Sequence, residues 1–316
     1  MPKPFHLGWF LHGSSAQAWG EPWTGAIGRD WRVPELFCDM ARALERACFD
    51  YLLIEDSSYI GESFGGSREI YLRNGLSVPR QDPSVIATLM AAATSRIGIV
   101  PTLSTFAYPP YLLARLVASL DQVSNGRIGW NMVTGSSDFA AMNYGMPGMP
   151  EHDLRYDRAD EFLEIVLSHW DSWGDDAIIQ DRESGIFADA TKVRRLDHKG
   201  KWFKSRGPFT VPRTPQGRPV LIQAGQSGRG KSFAARWGDL VFVIYPNMEV
   251  AKRGYRDFKE QVAASGRDPA TVRICPAVYC IVGETEAAAQ EKRALIDGLA
   301  KPVDGLSLLS EALNYD

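Results

Sequence analysis

Three stretches of the chain concentrate residue types that bind anions or polar rings. Residues 225–232 read Gly-Gln-Ser-Gly-Arg-Gly-Lys-Ser, which fits the G-x-x-x-x-G-K-S spacing of a phosphate-cradling loop. This stretch follows an apolar run at 220–223 and opens a helical pattern containing Phe233, Ala234, Ala235 and Trp237. Backbone N–H groups at a helix start lack partners within the helix, and together with the helix dipole they attract phosphate. A nucleotide hydrolase would also need a later strand ending in a magnesium-binding Asp. Here residues 240–245 run into Pro246-Asn247, so the pattern supports a phosphate site without ATPase chemistry.

The second stretch is Glu151-His152-Asp153-Leu154-Arg155-Tyr156. His152 and Tyr156 are four residues apart and share one face of a helix that starts here. In its first turns both can donate to an anion, although a single His at a helix start is more often a surface or capping residue. The third is a set of polar ends on apolar runs: Glu55-Asp56, Thr102 to Thr105 with Ser104 between, Asn131 to Gly135, and Gln223 to Ser227 by way of Gly225. Singly, each would pass for a cap or turn. Together, and without metal ligands, they suit an organic cofactor with many hydrogen-bonding edges.

Positioning these ends requires parallel strands. Short apolar runs recur at 5–11, 51–54, 97–103, 128–133, 220–223, 240–244 and 274–282. Most are continuous rather than alternating, as in strands covered on both faces. Helical spacing fills the gaps, for example Leu36, Met40, Ala43, Leu44 and Ala47, then 112–120 and 162–170. The β-α-β order predicts an α/β fold, a (β/α)8 barrel whose C-terminal strand ends carry the site. No early glycine-rich dinucleotide turn favours a doubly wound sheet. Seven strands are one too few, and beyond residue 282 only one helical stretch is legible, at 286–299. The expectation is a single barrel domain over 1–316 that lacks its closing strand and any terminal helix. A polar insertion at about 171–219 contains a small hairpin at 196–210.

Composition sets the remaining bounds. Of 316 residues, 45% are apolar and 23% charged, with net charge −3. This is an ordinary globular balance, with no electrostatic case for nucleic acid or an anionic membrane. No apolar run approaches the ~18 residues of a membrane span, and residues 1–6 lack a signal-peptide pattern. Four scattered cysteines form no disulfide framework, and five scattered histidines without H-E-x-x-H give no metal site. A reducing cytoplasm is the simplest setting.

Residues 127–134 (Arg-Ile-Gly-Trp-Asn-Met-Val-Thr), 151–162 (Glu-His-Asp-Leu-Arg-Tyr-Asp-Arg-Ala-Asp-Glu-Phe) and 223–227 (Gln-Ala-Gly-Gln-Ser) together resemble the bacterial-luciferase-like flavin monooxygenases. The branch is that of the nitrilotriacetate, long-chain alkane and dibenzothiophene sulfone enzymes. The sulfone enzymes are most similar, notably over 212–217 and 264–269. The resemblance runs from Phe5 to about Ser310. It implies reduced FMN bound at the barrel mouth, with Asp56 and Thr102 near the isoalloxazine and Ser104 and Asn131 as further neighbours. His152, Tyr156 and Ser227 would hold the ribityl-phosphate end beside Gly225. It also implies O2, a partner NAD(P)H:FMN reductase, a homo-oligomer and a small organic substrate: first an aromatic sulfone opened by C–S cleavage, then other heteroaromatic, alkane or aminopolycarboxylate compounds. The chain departs from the family pattern at Gly20-Glu21-Pro22-Trp23, in the substrate-bordering loop after strand one, and at Lys231. The rivals are a phosphate-loop hydrolase and a flavin-binding protein without catalysis.

Overall fold

The computed structural model describes residues 5–12, 30–313 and 315–316. In chain order the first half contains β1 (Gly8–Leu11), α1 (Pro34–Arg46), β2 (Tyr51–Ile54), α2 (Glu69–Asn74), α3 (Pro83–Ala93), β3 (Gly98–Ser104), α4 (Pro110–Val123), β4 (Gly129–Val133), α5 (Asp138–Asn143) and α6 (His152–Trp170). Two short hairpins follow, β5 (Ile178–Asp181) with β6 (Ile186–Ala188) and β7 (His198–Lys199) with β8 (Lys204–Ser205). The second is the aromatic-centred hairpin expected at 196–210. The remainder is β9 (Val220–Gln223), α7 (Gly228–Trp237), β10 (Leu240–Val243), α8 (Met248–Ala264), β11 (Arg273–Pro276), α9 (Glu286–Leu299) and α10 (Pro302–Leu313).

Seven parallel strands form one sheet in the order β1-β2-β3-β4-β9-β10-β11. Successive side chains on a strand point to opposite faces, and here both faces are apolar. Leu52, Ile54, Ile99, Trp130, Met132 and Leu221 face outward into the core beneath the helices. Leu53, Val100 and Ile222, with Tyr51 and Leu240, fill the inside. Trp130 is fully buried and donates through Nε1 to Leu103 O at 2.9 Å. Phe10 of the first strand stacks on Phe242 of the sixth at 5.3 Å, a contact that requires the sheet to curl almost shut. β1 and β11 remain its two unpaired edges, so the barrel is incomplete at the expected seam.

Two details correct the sequence reading. The seventh strand ends at Pro276 rather than at 282, because β11 has a hydrogen-bonding neighbour on one side only and pairing stops with β10. The expected absence of a terminal helix is also wrong. α10 follows α9 and docks on α2 through Tyr71, whose hydroxyl donates to Ser307 O at 2.9 Å, and through Asn74 Nδ2 to Asp304 Oδ1 at 2.6 Å. Its apolar positions are interleaved with Ser307 and Ser310, which face the packing surface, so no simple apolar stripe marks it.

The β7–β8 hairpin is held to α6 by the Glu161 carboxylate and by His169, whose Nε2 lies 2.7 Å from Ser205 Oγ. Glu161 accepts from Trp202 N at 3.0 Å and Phe203 N at 2.8 Å. A comparable device anchors β3. Glu45, in the last turn of α1, accepts from the N–H groups of Ser95, Arg96 and Ile97 at 3.0, 2.6 and 3.0 Å. Desolvation pushes the Glu45 carboxyl up, but those N–H bonds outweigh it and bring it down to about 2. A carboxylate whose pKa falls on folding adds stability above its ordinary value and loses it as pH drops through the folded one. Glu45→Gln is therefore expected to lower unfolding stability by roughly 1–3 kcal/mol near neutral pH. Urea titrations should show the gap from wild type closing between pH 4.5 and 2; a gap independent of pH would show that the charge does not matter.

Candidate active site

Strand register assembles the site. Leu11 pairs with Ile54, Ile54 with Pro101, and Thr102 with Asn131. One residue further on, His12, Glu55, Thr102 and Asn131 fall into a single row facing the barrel interior at its C-terminal mouth. Thr102 and Asn131 are buried, and Asn131 Nδ2 donates to Thr102 Oγ1 at 2.8 Å. Asn131 Oδ1 is buried with no hydrogen-bond partner among the described residues. A buried acceptor without a donor costs about 1–3 kcal/mol, so this atom calls for a ligand donor. Ser104 is engaged by backbone: its hydroxyl donates to Val133 O at 3.3 Å and accepts from Phe106 N at 3.4 Å.

On the β1–β2 side the row is charged but balanced. Arg80, its side chain 7% exposed, donates to Glu55 through Nη1, to Ser77 O at 3.2 Å through Nε, and to His12 Nε2 at 3.4 Å through Nη2. A guanidinium only donates, so His12 Nε2 must accept. The ring proton then sits on Nδ1, which lies 3.4 Å from Glu55 Oε2. His12 is held neutral, in agreement with burial lowering its pKa while Glu55 opposes. Sequence inspection missed this cluster because Arg80 lies in an aperiodic stretch and His12 ends an apolar run. Next to it, burial pushes the Asp56 carboxyl up to about 7, with Arg80 opposing and Glu55 and Asp82 adding.

The opposite side forms an anion cradle. Ser227 caps α7, its Oγ accepting from Gly230 N at 3.0 Å, which leaves the hydroxyl proton free to donate. Tyr156 is buried on α6. A Cβ placed on Gly230 would lie 2.8 Å from both Ser227 Oγ and the Tyr156 hydroxyl, and one on Gly225 would lie 2.9 Å from that hydroxyl. These glycines keep open a space at a helix N-terminus that two hydroxyls border. Gln223 Oε1 accepts from Gly225 N at 2.5 Å and fixes the turn. His152 lies edge-on to the Tyr156 ring at 5.2 Å, while its Nδ1 is 2.7 Å from Asp153 Oδ1 and its side chain is 43% exposed. The structure thus brings Tyr156, Gly225 and Ser227 together, with His152 at their rim.

α6 ties the two sides. Arg155 donates to Gly135 O and Arg158 to Thr105 O at 2.9 Å, the carbonyls just past β4 and β3. Arg229 pairs with Asp157 and Asp160, locking the first turn of α7 to α6. Above β2, β3 and β4 stands an aromatic wall in which Tyr59 meets Phe139 at 6.4 Å and Phe106 meets Tyr144 at 5.4 Å. The divergent loop at residues 20–23 lies outside the described residues.

A parallel barrel with this mouth defines a class, and comparison with known proteins names it. Residues 12–313 match the luciferase-like monooxygenase family, and the chain belongs to that family. It is 43% identical to the dibenzothiophene-sulfone monooxygenase of Rhodococcus erythropolis strain XP, over 98% of this chain and 68% of that one. The crystal structure of a long-chain alkane monooxygenase superimposes with TM-score 0.95 at 32% identity, covering all of this chain and 74% of that one. A riboflavin lyase solved with a modified FMN and riboflavin gives TM-score 0.88 at 34% identity, covering 96% and 69%. The chain is an enzyme of the monooxygenase class.

Gly230→Ala should fill the cradle and weaken phosphate-ester binding about tenfold or more, near 1.4 kcal/mol. The added Cβ also presses on the Ser227 and Tyr156 hydroxyls, so a thermal melt is read beside the affinity, and lost binding in a variant that still unfolds cooperatively separates a filled cradle from unfolding. Ser227→Ala should cost roughly 1.5–3 kcal/mol of the same affinity by removing a charge-assisted donor. Calorimetry with FMN reads both, and unchanged affinity would exclude this turn as the phosphate site.

Proposed function

We propose that this protein is the oxygenating component of a two-component, FMNH2-dependent monooxygenase acting on an organic substrate, with an aromatic sulfone opened by C–S cleavage as the leading class. The observation that carries this reading is the anion cradle of Tyr156, Ser227 and the α7 N-terminus, which follows β9, the direct neighbour of the strand that carries the unsatisfied Asn131 Oδ1. An anion site and an unfilled acceptor at the ends of neighbouring strands suit a ligand with a phosphate at one end and a hydrogen-bonding ring at the other. The likeness to a sulfone monooxygenase over nearly the whole chain supports the substrate class.

In this reading the Tyr156 and Ser227 hydroxyls and the α7 N–H groups hold the FMN phosphate, with His152 and Gly225 beside them. Thr102, Asn131 and Asp56 line the isoalloxazine, and Ser104 stitches the loop at its edge. Bound reduced flavin supplies the electrons that activate O2. The protein binds, orients and excludes water. Near neutral pH the Asp56 carboxyl, at about 7, holds a proton on Oδ in part of the population, so it can give or take one at the ring wall. Arg155 and Arg158 keep the β3 and β4 loops packed over the mouth.

The phosphate-binding turn after β9 is assigned to FMN, and a separate reductase supplies the reduced flavin. Purified protein mixed with FMN, NADH and dibenzothiophene sulfone should form no product until an unrelated flavin reductase is added. With the reductase and isotopic O2, mass spectrometry should find one labelled oxygen in the product. Product at full rate without reductase would overturn the two-component reading, and flavin binding without oxygenation of any sulfone would favour a non-catalytic flavin protein.

A further inference from the structure

α6 begins beside the mouth and ends at Trp170, so the chain that follows leaves from the opposite end of the barrel. There it forms one antiparallel arm. The base is laddered by Arg194 N to Ser172 O at 2.8 Å, Gly174 N to Lys192 O at 2.9 Å and Asp189 N to Ala177 O at 2.8 Å. Trp173 pins it to the body by donating from Nε1 to Phe209 O at 2.7 Å. Beyond the base only β5 and β6 remain, paired with each other and with no third strand among the described residues. We propose that this arm is a dimerisation element: it lies antiparallel to the same arm of a second copy, with its tip seated in a polar cavity at the base of the other arm.

The outward face of the arm is apolar. Ala177 is buried, and Ile178 and Ala188 are half-buried against the body. Ile178 pairs with Ala188, so the adjoining Ile179 and Phe187 point the other way. Phe187 is 58% exposed, and Ile179 and Ile186 are nearly half exposed. A two-stranded hairpin is marginal on its own, and unpaired edges beside such side chains are a template for a further strand.

The base of the arm holds a cavity that matches the tip. Asp175, Arg213, Thr214, Pro215, Gln216 and Gly217 line a volume of about 280 Å³. Thr214 is buried, and its Oγ1 has no hydrogen-bond partner among the described residues. Asp175 pairs with Arg213 yet keeps 85% of its side chain exposed. At the tip, Asp181-Arg182-Glu183-Ser184-Gly185, the exposed Arg182 and Glu183 side chains make no hydrogen bond or ion pair among the described residues.

Tip and base complement each other in charge, and this identifies the occupant as a second copy. The strand from 175 to 182 spans roughly 20 Å. Two arms laid antiparallel about a two-fold axis bring each tip to the other's base. Arg182 of each copy then meets Asp175 of the other, Glu183 meets Arg213, and a tip donor reaches the unfilled Thr214 Oγ1. A two-fold interface makes every such contact twice, whereas an unrelated partner would have to carry the same charge pattern by itself. The mouth, at the far end of the barrel, stays open.

Sedimentation of the full chain over a concentration series tests this without any flavin. Wild type should have at least twice the 35.0 kDa mass of the chain. Phe187→Asp should raise the dimer dissociation constant about thirtyfold or more, with an unchanged far-ultraviolet circular dichroism spectrum to show that the chain still folds. Arg182→Asp and Asp175→Arg should each weaken the dimer, and the two together should recover most of the loss. A monomeric wild type would overturn the inference, whether the arm is left bare or covered by some other molecule. A dimer of undiminished strength in Phe187→Asp would place the interface elsewhere and overturn it as well. Charge reversals that leave the dimer unchanged, or that fail to compensate each other, would remove the tip from the cavity and overturn the arrangement.

Discussion

The pairing of Thr102 with Asn131 across β3 and β4 is the constraint on which the rest of the molecule depends. Slipping a parallel register by one residue would turn each strand's inner set outward. Leu103, Trp130 and Met132 would then face the barrel axis, and Thr102 and Asn131 would be driven into the apolar layer beneath the helices. Burial of Trp130 under α6, with its indole N–H on Leu103 O, therefore also sets the site geometry. The same alternation that makes the core apolar on both faces delivers a polar row at the mouth, because polarity enters only at the last inward positions.

α6 transmits that geometry to the far side. Its successive turns carry Tyr156, which borders the cradle, Arg155 and Arg158, which hold the β3 and β4 loops, and Asp157 and Asp160, which grip Arg229 of α7. Trp237 adds a bond from Nε1 to Asp160 Oδ1 at 2.6 Å. The position of the α7 N-terminus relative to the ends of β3 and β4 is thus set by one helix rather than by loops. Ion pairs at a surface contribute little to stability. Their effect here is orientation, since an α7 free to rotate would turn the Ser227 hydroxyl away from Tyr156.

Legibility in the sequence followed the physics of each element. The barrel strands were readable because burial on both faces leaves nearly unbroken apolar runs, as at 51–54 and 97–103. Ser227 and Gly225 were readable as the turn that opens α7, because a capping hydroxyl and glycines stand there at fixed spacing, and the place of Tyr156 on α6 followed from its helical offset to His152. The Glu55–Arg80–His12 cluster was not legible: its members are brought together by chain curvature, and no spacing along the sequence encodes that. α10 was missed because it docks partly through serine and main-chain oxygen, so its apolar periodicity is diluted. The β11 boundary was overrun because an edge strand stops where its neighbour stops, while the apolar composition carries on.

The charge pattern of the interior has a physical origin in desolvation. A buried guanidinium without compensation would be prohibitive, and Arg80 is tolerated because Glu55 cancels its charge while Ser77 O and His12 each accept one N–H without adding a charge. This makes the histidine tautomer a structural requirement: a protonated His12 would face Arg80 with two donors and no acceptor. The cost of bringing an unpaired charge to this wall is avoided because each charged member already has its partner.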